Sequence, residues 1–377
     1  MTNTSTGQTA AQQAAAMNLP NRAQLIGMGL YMTRQMQPVN ANLGQQVRVP
    51  LDRVGVVTGV TLQITLPIDV TAAATASPYA PYNVANLLTY TDFAGLQRVI
   101  TNGWQLHALN SFKGHKIAGN AVNYDYVPHS EIGINTNITN VPTATGNANL
   151  TFFLYVPLAY DPTSDLRGAV LAQSIYGEHY ITVTTPAALV GTDPLQFPYT
   201  AGTVAMQSGA QVTIQASMHY IMPQQGVSNL PMVDLSTIYA VEGNYNDSAN
   251  INAGQPKYVN WPNNRAILSA LHIYNDGAVG GTLNETDINK ITLLGNSNTN
   301  IKELSPALLR YQMRYQLGTD MPSGVLYMPS RAQPITTQLY GNVQTKLDIA
   351  AAAAGTYILS QYESTYLSGT PLPGVVQ

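Results

Sequence analysis

The sequence predicts an all-β protein of two domains, each a sandwich or jelly roll. Three observations carry that expectation. Apolar and polar residues alternate with a period of two in segment after segment, no strand–helix–strand rhythm runs through the chain, and 377 residues fit two domains of ordinary size. Short alternating segments joined by long connections suit antiparallel sheets packed face to face better than a parallel sheet.

In chain order, residues 1 to about 18 read as a polar arm, and Asn18 to Gln37 predict a helix with Asn18 as cap, Pro20 in its first turn and Pro38 as its stop. Leu25, Met28, Met32 and Met36 fall three or four apart and make one apolar stripe. Five of the 12 methionines lie in the first 36 residues, and Met adapts best to differing surroundings. The stripe either packs the helix on its own domain or meets different neighbours, protein or lipid. From Gln46 the period becomes two. Val60–Leu66, Leu150–Val156, Tyr180–Thr184 and Val212–Ala216 alternate as half-buried strands, and a second set comprises Ile267–Tyr274, Gly324–Met328, Pro334–Tyr340 and Thr356–Tyr362. Asn102-Gly103 and Asn275-Asp276-Gly277 read as turns, and short helices are expected near Tyr90 to Ile100 and Pro306 to Gln316. The uncharged stretch from Met222 to Pro231, with two prolines and a glycine, reads as a linker. The expected division is an arm over 1–38, a first domain over 39–226 and a second over 227–377.

Charge is scarce. Asp, Glu, Lys and Arg make up 9% of the chain, against about 25% in a typical soluble domain. Asp193 and Asp234 bracket 40 residues without a formal charge, and Glu131 and Asp161 bracket another 29. A surface that neutral suits burial against copies of the same chain, where unpaired charges are costly, or the exterior of a secreted domain. The net charge of −3 with no Lys/Arg cluster disfavours nucleic-acid binding. The absence of cysteine removes disulfides and thiolate chemistry and favours folding in a reducing compartment. The first 17 residues lack the basic start and apolar stretch of a secretory signal, and no run of about 20 apolar residues is present.

Catalytic signatures fail one by one. Gly27-Met28-Gly29 lacks the third glycine of a dinucleotide site and a strand before it, and there is no P-loop, no Gly-x-Ser-x-Gly and no His-Glu-x-x-His. The six histidines are scattered, and His179 and His219 lie in strand-like segments that suit structural roles. Glu178 and His179 are neighbours on a strand and so point to opposite faces. Asp161, Asp165 and Asp193 could supply oxygen ligands in a loop but equally cap it; no metal or other cofactor is expected. Sequons such as Asn149-Leu150-Thr151 are ordinary in a chain rich in Asn and Thr. Tyrosine outnumbers the other aromatics, 23 against five Phe and two Trp, as suits contacts that are buried but wet. Tyrosine also lines sugar clefts, so a carbohydrate-binding or glycoside-cleaving jelly roll is the alternative; it needs converging carboxylates, which the sequence does not nominate.

Several blocks resemble the major capsid proteins of tectiviruses, phages with a membrane beneath the protein shell. They are Gly103-Trp104-Gln105-Leu106-His107; Val156-Pro157-Leu158-Ala159-Tyr160 with Asp165-Leu166-Arg167-Gly168-Ala169-Val170-Leu171-Ala172; Leu230-Pro231-Met232-Val233-Asp234-Leu235-Ser236-Thr237-Ile238-Tyr239; and Thr319-Asp320-Met321-Pro322, Gln333-Pro334-Ile335 and Gln338-Leu339-Tyr340-Gly341-Asn342-Val343. The resemblance implies a double jelly-roll viral coat fold, two eight-stranded jelly rolls per chain with an N-terminal helical arm, and a homotrimer of nearly hexagonal outline that tiles an icosahedral shell. It further implies partners at the vertices, location in the virion after folding in the bacterial host cytoplasm, and an arm over residues 1 to about 36 at the inner face near the membrane, with Leu25, Met28, Met32 and Met36 as contacts. The arm carries only Arg22 and Arg34. At about 1 kcal/mol per basic residue, attraction to anionic lipid is small, so apolar contacts are expected to dominate. Trp104 is placed in a turn beside the first core and is a candidate aromatic at a subunit contact.

Overall fold

The computed structural model describes residues 29–77, 79–117, 141–162, 166–172, 177–223, 237–247, 251–275, 287–296, 299–317, 325–330, 334–352 and 356–366. Their strands form three sheets. The first, of seven strands, contains β1 (Gly29–Gln35), β2 (Val39–Ala41), β4 (Val56–Ala76), β7 (Gly146–Pro157), β8 (Val170–Leu171), β10 (Tyr199–Met206) and β11 (Val212–Pro223). The second, of nine, contains β3 (Gln46–Pro50), β5 (Leu87–Thr91), β6 (Gln97–Thr101), β9 (Tyr180–Thr184), β12 (Tyr239–Asp247), β14 (Arg265–Asn275), β17 (Val325–Pro329), β18 (Ile335–Thr336) and β20 (Tyr357–Tyr366). The third contains β13 (Pro256–Asn260), β15 (Ile288–Gly295), β16 (Thr299–Leu304) and β19 (Val343–Ile349).

Alternation decides which side chains make the cores. In β4, Val60, Leu62, Ile64 and Leu66 are fully buried while Thr61, Gln63 and Thr65 point outward. Leu150, Phe152 and Leu154 of β7 and Ile214, Ala216 and Met218 of β11 continue the inward row and join one buried cluster with Val49, Leu88, Tyr90, Ile181 and Val183 of the facing sheet. Each buried Val, Leu, Ile, Phe or Met among them contributes about 1.5–3 kcal/mol relative to exposure. That pair of layers is the first jelly roll. The second packs the four-stranded sheet on β12, β20, β14 and β17, with Trp261 Nε1 donating to Thr345 Oγ1 at 2.7 Å.

The two jelly rolls share the nine-stranded sheet, because β12 pairs in parallel with β6 through Val241↔Val99 and Glu242↔Ile100. By register, the face bearing Tyr90 and Val99 continues across Val241 to Glu363. The second core lies on the opposite face, with His272, Ser360 and Tyr362. Between the halves, helix α1 (Gly103–Ile117) covers the continued face, and its Phe112 stacks on Tyr327 with ring centroids 4.7 Å apart. Asn102 starts α1 by accepting the Gln105 amide at 2.7 Å. Helices α2 (Pro306–Leu317) and α3 (Thr337–Tyr340) follow.

Sequence and structure part in several places. The predicted helix over Asn18–Gln37 is strand from Gly29 to Gln35, paired with β11 from Gly29↔Pro223 to Gln35↔Ser217; Leu25 and Met28 lie outside the described residues. A spacing of four is even, so Met32 and Met36 share a face in a strand as readily as in a helix. The helix expected near Tyr90–Ile100 is a hairpin of β5 and β6, turned by Asp92, whose Oδ1 accepts the amides of Ala94 at 2.9 Å and Leu96 at 3.0 Å, with Gly95 at φ 79°. The strand expected over Pro334–Tyr340 stops after two residues, where the Thr337 hydroxyl bonds the Arg265 backbone amide and carbonyl in place of ladder bonds. The helix expected near Pro306–Gln316 and the alternating strands elsewhere are present.

Candidate assembly interface

The outward face of the seven-stranded sheet carries no Asp, Glu, Lys or Arg over its central rungs. Cross-strand register places Ser217, Thr61 and Tyr155 on one rung, Gln215, Gln63 and Phe153 on the next, and Thr213, Thr65 and Thr151 on the third. The Thr65 and Thr151 hydroxyls bond at 3.1 Å, and Thr213 donates to Asn40 Oδ1 at 3.0 Å. His219 lies among them, with Nε2 2.7 Å from the Thr61 hydroxyl and Nδ1 3.1 Å from that of Thr33; burial lowers its pKa and favours the neutral ring. Gly59 is needed here, because the Tyr155 ring lies across its backbone and a Cβ would sit 2.2 Å from the Tyr155 hydroxyl. Phe153 stands 47% exposed on β7, at the end of the middle rung beside Gln63.

Two further apolar features stand exposed on other surfaces of the chain. Leu30 and Met32 of β1 share the inward-pointing face with Tyr220 and Met222, yet at the sheet edge they remain 49% and 40% exposed. Helix α2 turns Leu309 and Met313 into the core and presents Leu308, Tyr311 and Tyr315 outward, with Tyr315 84% exposed. Met36 is buried in the chain's own core. Trp104 lies in the first turn of α1, 5% exposed and edge-on to Tyr79 at 4.8 Å, so the isolated chain offers little of it to a partner.

The polar residues singled out in the sequence have local duties. Glu178 pairs with Arg48 at 2.5 Å, while His179 is buried within 3.2 Å of the Tyr90 hydroxyl and 2.9 Å of the Asp52 carbonyl oxygen. Asp193 accepts the Leu195 amide and the Gln196 side chain, each at 2.9 Å. Asp165 and the linker residues 224–231 lie outside the described residues. Among the described residues no cluster of three or more His, Asp or Glu side chains could hold a metal ion, and no helix is long and apolar enough to cross a membrane.

Family models for the N-terminal and C-terminal parts of the P3 major capsid protein match residues 2–225 and 236–372. The chain belongs to the P3 major capsid protein family. A P3-family protein builds a virion shell and is not an enzyme, which fits a surface organised for contact. Major capsid protein P3 of Enterobacteria phage PRD1 is 28% identical over 381 residues, covering 94% of each chain. Solved structures share the fold across low identity: the atomic structure of Sulfolobus Turreted Icosahedral Virus (TM-score 0.63, 15% identity, 90% of this chain and 92% of that one), the PBCV-1 virus capsid (0.61, 11%, 92% and 98%) and the major capsid protein P2 from bacteriophage PM2 (0.52, 10%, 91% and 100%). The double jelly roll is thus the common architecture.

The sequence did not single out β13, β15, β16 or β19, although Val343–Ile349 alternates cleanly. Nor did it identify α1, whose signal was Asn102 in the capping position rather than in a turn. Of the outward apolar residues, Phe153 was visible only as one letter of a strand.

Proposed function

We propose that this P3-family coat protein assembles as a homotrimer of nearly hexagonal outline, and that trimers tile an icosahedral shell around an internal membrane. The single observation that carries the reading is the charge-free outward face around Gln63 and Phe153. A surface of hydroxyls, amides and rings desolvates at little cost against a second copy, whereas solvent alone gives no reason to exclude charge from it. Leu30, Met32 and the α2 stripe extend the contact area. The segment before β1 supplies the inner-face contact with lipid, with Leu25 and Met28 as its apolar residues. The boundary between the jelly rolls falls between residues 223 and 237. The cysteine-free chain folds in the host cytoplasm before assembly with itself and with vertex proteins.

Light scattering on the purified chain tests the trimer. The expected species has about three times the 40.4 kDa chain mass and gives hexagonal outlines when imaged. A monomer at every concentration would overturn the proposal and direct attention to the glycan-binding alternative.

A further inference from the structure

The outward face of the four-stranded sheet carries a hollow, and the register explains it. Tyr258, Lys346, Thr292 and Glu303 stand side by side on one rung across β13, β19, β15 and β16. Lys290 and Leu294 lie two residues to either side of Thr292 on its own strand and so point the same way. A short side chain is thus ringed by longer ones, and the depression forms above it. Its volume is about 200 Å³, and these six residues line it together with Asn300.

The lining is polar, and its charges are already matched. Lys290 pairs with Glu303 at 3.2 Å and Lys346 with Asp348 at 3.0 Å, while Asn300 Nδ2 donates to the other oxygen of Glu303 at 3.4 Å. Thr292 is 3% exposed at the floor, and Tyr258 is 45% exposed. Two ammoniums against two carboxylates leave no net charge to select an anion. A divalent cation would find the Glu303 carboxylate in the lining and two ammoniums to repel it. An apolar ligand would strip water from the ion pairs without replacing its hydrogen bonds.

We propose that the hollow binds one pyranose ring at the end of a neutral glycan. A sugar hydroxyl both donates and accepts, and the hollow offers both partners close together: Lys290, Lys346 and Asn300 donate, Glu303 accepts, and the Thr292 hydroxyl does either. The Tyr258 ring supplies a flat apolar surface for the C–H side of the sugar, with a polar tip beside it. A volume of about 200 Å³ falls below the roughly 300–1,000 Å³ of sites that enclose drug-sized ligands, so one ring is held and the rest of the glycan stays in solvent. The hollow lies on a different sheet from the charge-free face, and sugar binding is therefore separable from self-association.

Saturation-transfer NMR on the full chain tests the site, with the methyl pyranosides of glucose, galactose, mannose and N-acetylglucosamine at millimolar concentration as probes. Transfer to at least one of them is expected. Tyr258→Ala removes the ring, and Thr292→Val keeps the branched shape while removing the hydroxyl; each is expected to raise the dissociation constant about tenfold, the worth of one contact. Glu303→Gln, an exposed change of equal size, carries the same test should either variant fail to fold. No transfer to any of the four sugars overturns the proposal. Binding undiminished by all three substitutions does so too, because it places the sugar elsewhere, and displacement of the sugar by inorganic phosphate would identify an anion site and overturn it equally.

Discussion

The outward sheets of the two jelly rolls have opposite surface chemistry. The first presents Thr61, Gln63, Thr65, Thr151, Phe153 and Gln215 with no formal charge. The second, at the corresponding layer, gathers Lys290, Glu303, Lys346 and Asp348 beside Tyr258. Lys290 pairs with Glu303 at 3.2 Å and Lys346 with Asp348 at 3.0 Å. In a chain with 35 formal charges, 16 basic and 19 acidic, six on one four-stranded sheet, four of them in these two ion pairs, and none on the central rungs of the other is a marked contrast. The charged face satisfies itself and tolerates water. The neutral face has no electrostatic reason to remain wet, so its chemistry makes sense when it is covered. The fold itself is shared with the PM2 major capsid protein and the Sulfolobus virus structure at only 10–15% identity.

The sharpest test of that difference puts a charge where there is none. Phe153→Lys leaves the inward row of β7 untouched, so the chain should melt within about 0.5 kcal/mol of the parent, as surface substitutions usually do. In a closed interface the same ammonium is unpaired, at a cost of about 3–5 kcal/mol, so self-association should weaken by more than a hundredfold per contact. Analytical ultracentrifugation of both chains measures it. Association equal to the parent's would show that this face looks into solvent and would remove the contrast.

Most of the neutral face was legible in the sequence. The two uncharged runs, 132–160 and 194–233, contain β7, β10 and β11, and the alternation of Val60–Leu66 assigns Thr61, Gln63 and Thr65 to the outside. What could not be read was which strands lie side by side. β4 lies between β7 and β11, partners about 90 and 155 residues away, and no local pattern states such pairings. The N-terminal strand was misread for a related reason: β1 exists because the edge of β11 offers it a ladder, while its own sequence serves a helix equally well. The charged quartet was missed because Val343–Ile349 was not singled out as a strand, although its alternation carries Lys346 and Asp348 to the same side.

Histidine contrasts the neutral outward face with the core of the second jelly roll. His219 borders the neutral face between two threonine hydroxyls, whereas His272 is sealed inside the second jelly roll, with Nδ1 2.8 Å from Ser360 Oγ and Nε2 3.0 Å from Thr345 Oγ1. Burial drives the pKa of His272 down to about 3 and also lowers that of His219. For a histidine with a depressed folded pKa the unfolded chain takes up the proton first. Its contribution to stability is whole above the unfolded pKa of about 6.5, and it falls with pH below that value, toward about 3 for His272, by up to about 1.4 kcal/mol per pH unit. Melting curves from pH 7 to pH 4 should show that slope. His272→Gln should lower stability at pH 7 and flatten the acid limb, and His219→Gln should flatten it less. An unchanged slope in His272→Gln would show that the acid response has another source.

The smallest effect belongs to the charged face, and its smallness is the point. The Lys290–Glu303 side chains are 42% and 47% exposed, and those of Lys346 and Asp348 are 27% and 28% exposed. Exposed pairs of this kind contribute about 0–1 kcal/mol each and weaken with salt. The hydrogen bond to Asp348 raises the pKa of Lys346, which keeps that lysine charged throughout the neutral range. Replacing Lys290 and Glu303 together by Met and Gln should therefore change the melting free energy by less than about 1 kcal/mol, and it should leave the sedimentation behaviour of the parent intact. If this double variant fails to assemble while Phe153→Lys assembles normally, the roles of the two sheets are reversed: the ion-paired face is the contact, and the neutral rungs are the surface that stays in water.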